Sequence, residues 1–391
     1  MDKEKRIIFI TDILNSTTSV YFSTFFVLYF FNVTNYEIIP LAKYYITAYL
    51  FIGIAFILIS KLIKNNYKVE LFRIGIALRA LYVALIMFLK ENIINYIFLV
   101  AIIDGLSQGF YSYPKNLLNT EKISNEDRQK YSSIINTVCQ FISIIIPLLL
   151  GILLTYFSYV EVGKAFFILF VIMYIISFKL KDGKHNKRKL EFNKFFKLIK
   201  ANKHLRYSLL KPFLSGLTIS SGVMYLIITL YKIYNFKTNL NLGFVTSICS
   251  FVCLVACIIF KFIKKKDFNK VMIFSGFISF ITILLFAFFP SKASLIAFMF
   301  IDNLLITFIA LISNMTIINY SNNEEIKKDL KSEFYLIIDV MFMISRVLGY
   351  TLLFLVCLFI GKEYINYLMI VPAISLILES MIICKLNKEN S

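Results

Sequence analysis

Apolar runs close to 20 residues long recur along the whole chain, separated by short polar or basic turns. That length matches the hydrocarbon core of a bilayer, about 30 Å thick. A backbone in that core can satisfy its own hydrogen bonds only as a helix or a closed barrel, and runs this long are helices. The pattern predicts spans at 8–31, 38–60, 71–89, 95–117, 132–156 and 162–178. A second set follows at 208–231, 241–262, 271–289, 293–318, 333–358 and 364–384. Between the sets lies a strongly basic stretch, Lys179 to Lys211, with twelve Lys and Arg against Asp182 and Glu191. The expected architecture is an all-α integral membrane protein of twelve transmembrane helices in two pseudo-symmetric six-helix bundles. Its divisions are 1–178, a cytoplasmic connector at 179–207, and 208–391.

Composition sharpens this. Hydrophobic residues make up 59% of the 391, with 41 Phe and no Trp, more than a soluble chain carries. The net charge of +19 raises a nucleic-acid partner, but most of the 42 Lys and Arg sit on loops of one side. That asymmetry is the positive-inside pattern and puts both termini in the cytoplasm, with the charge facing an anionic leaflet. The six cysteines lie in or beside apolar segments and outline no disulfide framework. MDKEKR with its long apolar run reads as a retained first span, not a cleaved leader.

The halves repeat each other. Lys61-Leu-Ile-Lys64 at the end of the second span finds Lys261-Phe-Ile-Lys264 at the end of the eighth. Asp104 stands twelve residues before Asn116, and Asp302 twelve before Asn314. Glu126-Asp-Arg128 is answered by the charged run 324–328, and Phe31-Asn32 by Tyr234-Asn235. The offset stays near 200 throughout. Even-numbered repeats share one orientation, so the relating axis lies along the membrane normal.

Two parallel six-helix repeats joined by a basic loop resemble the major facilitator superfamily of secondary transporters, over nearly the whole chain. The resemblance is to a divergent bacterial member. Its loop motif between the second and third helices is reduced here to Ser60-Lys-Leu-Ile-Lys-Asn-Asn-Tyr-Lys68. Of the glycine-rich stretch in the fifth helix of proton-driven exporters, Pro147 and Gly151 remain. The resemblance implies that helices one, four, seven and ten line the solute path. Within the connector, Phe192, Phe195, Phe196 and Ile199 recur at helical spacing among lysines, the pattern of a basic amphipathic helix on the inner membrane surface.

Charges inside a bilayer cost about 2.5–3.5 kcal/mol each, so each needs a reason. By helical rise, Asp104 and Asp302 lie roughly 13 Å from the outer edge, near the midplane. Arg79 and Arg346 are also deep, while Asp12, Asp339 and Glu379 are nearer the cytoplasmic ends. Burial disfavours a charged carboxylate, which suits Asp104 and Asp302 to take up and release a proton, or to attract a cationic solute. The competing reading pairs Asp104 with Arg79 and Asp302 with Arg346 as structural bridges. The candidates for solute or proton coupling are Asp104, Asp302, Arg346, Asp12, Asp339 and Gln108, with Arg79 a structural ion-pair residue. Glu379, on an outer helix, can reach the inner surface.

Other features have plainer readings. Gly105 and Gly109 form a GxxxG that favours close helix packing. Ser16 to Ser19, and Ser220 with Ser221, either bind solute or bond back to their own helices. Cys249, Cys253 and Cys257 make a stripe able to hold a soft metal or to pack as a seam of small residues. No catalytic cluster, nucleotide loop, metal site or cofactor motif is present, so the chain is not read as an enzyme. The expected function is a secondary permease moving a small solute by alternating access, with protons as a candidate coupling ion. The alternatives are a proton-driven efflux pump for amphiphilic compounds and a non-transporting membrane sensor. The expected partners are the lipid bilayer and the solute, with no nucleic acid, in a monomer of the bacterial plasma membrane.

Overall fold

The computed structural model describes residues 3–35, 37–62, 67–122, 125–181, 191–228, 239–321, 326 and 330–389. Among these residues the regular elements are all helical. Helix α1 (Lys3–Val20) passes through a π-turn (Tyr21–Phe25) into α2 (Phe26–Val33). Then come α3 (Ile38–Leu62), α4 (Lys68–Leu89), α5 (Ile97–Lys122), α6 (Asn125–Tyr156) and α7 (Tyr159–Ser177). The second half contains α8 (Phe192–Ala201), α9 (Lys203–Ile228), α10 (Asn239–Phe260), α11 (Phe268–Phe288) and α12 (Lys292–Ala297). A π-turn (Phe298–Asp302) joins α12 to α13 (Asn303–Ser321), followed by α14 (Lys331–Leu355) and α15 (Ile370–Glu389).

Nine described stretches are long and apolar enough to cross a membrane. One of them, Lys68–Asn119, holds both α4 and α5, joined by the 3-10 turn Lys90–Tyr96. Adding α1–α2 and α9 gives the twelve spans expected from the apolar pattern.

Local chemistry sets the turns. Ser158 caps α7 by accepting the Glu161 N–H, while the Glu161 carboxylate accepts the Ser158 N–H, which satisfies two otherwise unpaired amides. At the other end of α7, Arg73 of α4 donates to the carbonyls of Ser177 (3.3 Å) and Leu180 (3.1 Å). Those carbonyls lie where an α-helix runs out of its own donors. Gly361 has φ +120°, a backbone conformation closed to residues with a side chain, and it starts the turn before α15.

The chain forms two compact units, Met1–Arg188 with Thr238–Ser250, and Lys189–Lys237 with Phe251–Ser391. In the first, α1 packs on α6, α4 on α5, and α4 on α7. In the second, α9 packs on α14, α11 on α13, and α11 on α15. Helices matched by the repeat thus find matching neighbours. Small residues permit the closest approaches. A side chain at Gly105 would strike the Ala48 carbonyl and Phe51, and one at Gly109 would strike Ala55, so the GxxxG brings α5 onto α3. Gly216 against Ser345, and Gly349 against Ser220, do the same for α9 and α14.

The connector helix α8 belongs to the second unit. Phe195 is fully buried there, 6.5 Å from the Phe334 ring, while Phe196 stays exposed. The buried Glu333 carboxylate accepts the Glu191 N–H at 2.6 Å, which places a negative charge at the start of α8.

Candidate functional site

In the first unit, Asp104 is buried on α5 with both oxygens engaged. Gln108, one turn along, donates Nε2–H to Oδ1 at 2.8 Å. The Tyr44 hydroxyl of α3 donates to Oδ2 at 2.7 Å and lies 2.7 Å from the Tyr82 hydroxyl of α4. Phe26 and Phe30 press on the Tyr44 ring at 5.3 and 5.8 Å, which keeps the group among aromatic faces.

Arg79 does not form the bridge to Asp104 that charge alone suggests. Its guanidinium donates to Asn15 Oδ1 of α1 and lies 4.2 Å from the Tyr111 ring centre. The Tyr111 hydroxyl in turn donates to the Thr11 carbonyl at 3.3 Å. Asp104 is served by neutral donors, and Arg79 ties α4 to α1 and α5. A direct ion pair of this unit lies elsewhere: Lys115 Nζ of α5 stands 2.5 Å from Asp12 Oδ1 of α1. The Tyr131 hydroxyl donates to the other Asp12 oxygen at 3.1 Å.

In the second unit, Asp302 closes the π-turn and is 0% exposed. Thr282 of α11 donates to Oδ1 at 2.8 Å. Oδ2 makes no hydrogen bond of normal geometry among the described residues, and neither does Ser279 Oγ, which stands next to the carboxyl within looser reach of it. The repeat offset sets Thr282 where the first half has Tyr82, and Ser279 where it has Arg79. The first half carries a fixed cation at this position and the second does not.

Arg346 is not paired with Asp302. It sits on α14, which packs on α9, and its guanidinium lies 4.7 Å from the Phe342 ring. Asp302 packs toward α11 instead, so the two spans bring different faces together. Asp339, half-buried on α14, makes no hydrogen bond or ion pair among the described residues.

Sequence reasoning missed one cluster. Glu379 does not reach the surface: it is 3% exposed and accepts from Ser215 Oγ (2.9 Å) and Ser313 Oγ (3.0 Å). Lys211 Nζ of α9 lies 3.9 Å from it and 3.3 Å from Asn314 Oδ1 of α13. The repeat held a signal for this. Lys211 follows Asp12, and Asn314 follows Lys115, by the same offset near 200. The position is polar in both halves, with an acid on the first span and a base on the seventh.

The hydroxyls on the first and seventh spans mostly bond back to their own helices. Thr17 donates to Ile13, Thr18 to Asn15 and Ser220 to Leu217. The Ser221 side chain lies outside the described residues, as do the charged runs 126–128 and 324–325. Cys249, Cys253 and Cys257 form no disulfide, and Cys253 makes weak contacts to the Asn303 carbonyl at 3.8 Å and to Asn303 Oδ1 at 3.9 Å. Among the described residues no group of three or more His, Cys, Asp or Glu gathers to hold a metal.

Twelve apolar helices in two repeated units, with buried acids and partly buried bases inside each, define a multi-pass membrane transporter. The chain belongs to the Major Facilitator Superfamily, whose family model matches residues 7–350. It is a transporter and not an enzyme. A search of curated protein sequences finds no match. Among solved structures, a bacterial homologue of the iron transporter ferroportin, in an inward-facing state, superposes with a TM-score of 0.74 at 13% identity, covering 98% of each chain. A bacterial metal transporter gives 0.64 at 14% identity, covering 99% of each. The E. coli fucose:proton symporter gives 0.60 at 14% identity, covering 100% of this chain and 98% of that one. At these identities the likeness is one of fold.

Proposed function

We propose that this protein is a secondary transporter that moves a small solute by alternating access, with transport coupled to protons through its intramembrane carboxylates. The observation that carries the coupling is the bare oxygen of Asp302. A fully buried carboxyl with one unpartnered oxygen and no cation beside it is stabilised by gaining a proton, since an uncompensated charge is costly in such a place. An added proton on Oδ2 also gives Ser279 Oγ something to accept. Asp104 has a hydrogen-bond donor on each oxygen and offers no such bare acceptor.

The positive-inside pattern supports cytoplasmic termini in a bacterial plasma membrane, with a cytoplasmic connector between an N-terminal and a C-terminal bundle. The protein works as a monomer in this reading, since each repeat finds its partner helices within its own chain.

The test begins with a thermal-shift screen of purified protein against solute classes at two pH values, because a ligand stabilises the state it binds. The solute found is then followed in proteoliposomes with an imposed pH gradient. Asp302→Asn is expected to abolish the gradient's effect while the protein remains folded in the membrane. Gradient-driven transport at the normal rate through both Asp302→Asn and Asp104→Asn would remove the carboxylates from the mechanism.

A further inference from the structure

The Lys211 cluster has no role in that reading, and its geometry is unlike that of its counterpart. In the first unit Lys115 is held at 2.5 Å by an Asp12 whose second oxygen takes the Tyr131 hydroxyl. Removing that lysine would leave a buried carboxylate with one weak donor. In the second unit Glu379 already has a serine hydroxyl on each oxygen, and Lys211 stands back at 3.9 Å. Its closer bond, 3.3 Å, is to Asn314, which is exposed. An ammonium has three donors, so this geometry leaves Lys211 capacity on the Asn314 side. The lysine can swing outward without stranding its acid, because two hydroxyls still serve Glu379.

We propose that Lys211 and Asn314 form a binding site for an oxyanion group, a carboxylate or a phosphate, with Glu379 as the counter-charge that holds the ammonium while the site is empty. The side from which a ligand arrives offers a cation and an amide, and the acid lies behind them. Lys211 supplies the charge, and Asn314, with its amide turned, supplies an N–H donor. The ligand displaces a loose internal contact, so binding does not require breaking a tight buried pair. The anionic group belongs either to the carried solute or to a lipid headgroup. As a statement about the solute this rests on the transport reading; as a statement about binding it does not.

The experiment uses the full chain in neutral phosphatidylcholine nanodiscs. Inorganic phosphate and acetate are titrated by calorimetry and thermal shift, against chloride at equal ionic strength. Wild type is expected to show saturable stabilisation by one of them. Lys211→Gln weakens it by about tenfold or more, as for loss of one partner of a charge pair. Glu379→Gln tightens it several-fold, because the ammonium no longer has a competing acid. A bridge that only ties α9 to α15 predicts the reverse: no anion response, and a Glu379→Gln protein that is merely less stable. If Lys211→Gln fails to fold, Lys211→Arg with Glu379→Gln decides the same question. In a second arm, phosphatidylglycerol replaces phosphatidylcholine. Stabilisation by that lipid, lost in the Lys211 variant, upholds the site and makes the headgroup its ligand. No Lys211-dependent response to phosphate, acetate or the anionic lipid overturns the proposal. Anion binding that persists while gradient-driven transport is absent overturns only the transport reading.

Discussion

Asp104 and Asp302 occupy matching places in the two repeats, yet Asp104 has a donor on each oxygen while Asp302 has a donor on only one. Tyr44 makes the difference on the first side. Tyr44→Phe strips one donor from a buried carboxylate and is expected to cost about 1–3 kcal/mol. Thermal unfolding of the purified variant reads this directly. The corresponding change in the second unit, Thr282→Val, removes the donor that serves Oδ1 of Asp302 and is expected to weaken the pH dependence of transport, as well as stability.

The ion pair between Asp12 and Lys115 makes a sharper prediction. Removing one member of a buried pair costs about 3–5 kcal/mol, whereas replacing both by apolar residues of similar size costs far less. Lys115→Met alone should therefore lower the melting temperature more than Lys115→Met combined with Asp12→Leu. Additive losses in that double-mutant cycle would show the two groups to be independent.

The glycines of α5 offer a steric test. At Gly109 a side chain meets Ala55, and overpacking of this kind costs about 1–3 kcal/mol or more. Gly109→Leu should push α5 off α3 and reduce the yield of folded protein. Gly163→Ala is the control, since the added carbon meets only the flexible Met87 chain, at 3.2 Å. Equal losses at both positions would count against close packing as the reason for the GxxxG.

For the connector, Phe195→Ala empties a fully buried site and is expected to cost about 3–5 kcal/mol of local packing. The loss should appear as faster trypsin cleavage at Lys194, Lys197 and Lys200 in vesicles with this face accessible. The exposed Phe196→Ala should leave cleavage unchanged.

The helices themselves were plain in the chain, because a run near 20 apolar residues admits one structure in a bilayer. The repeat was also legible, and with it the matching positions of Asp104 and Asp302 along their spans. What each charge touches was not. Spacing along one helix places Arg79 at a depth but cannot say whether Asn15 or Asp104 comes round to meet it, and that depends on which faces of α1, α4 and α5 turn together. Glu379 shows the same gap. Its distance from the helix end suggested an exposed residue, and only the packing of α15 against α9 and α13 encloses it. The opposite charges at Asp12 and Lys211 could have been found by sliding the repeat one residue further than the aspartates required.

The π-turn before Asp302 has a consequence of its own. A π-turn accommodates one residue more than an α-helical turn would. Each residue in an α-helix advances the chain by roughly 100° about its axis. Deleting a single residue within Phe298–Asp302 would let the segment relax into ordinary helix and carry Asp302 away from Thr282, with its chemistry intact. The position of that carboxyl is therefore encoded in the length of the span as much as in its letters, and variants that differ by one residue there will behave as if the aspartate had been lost.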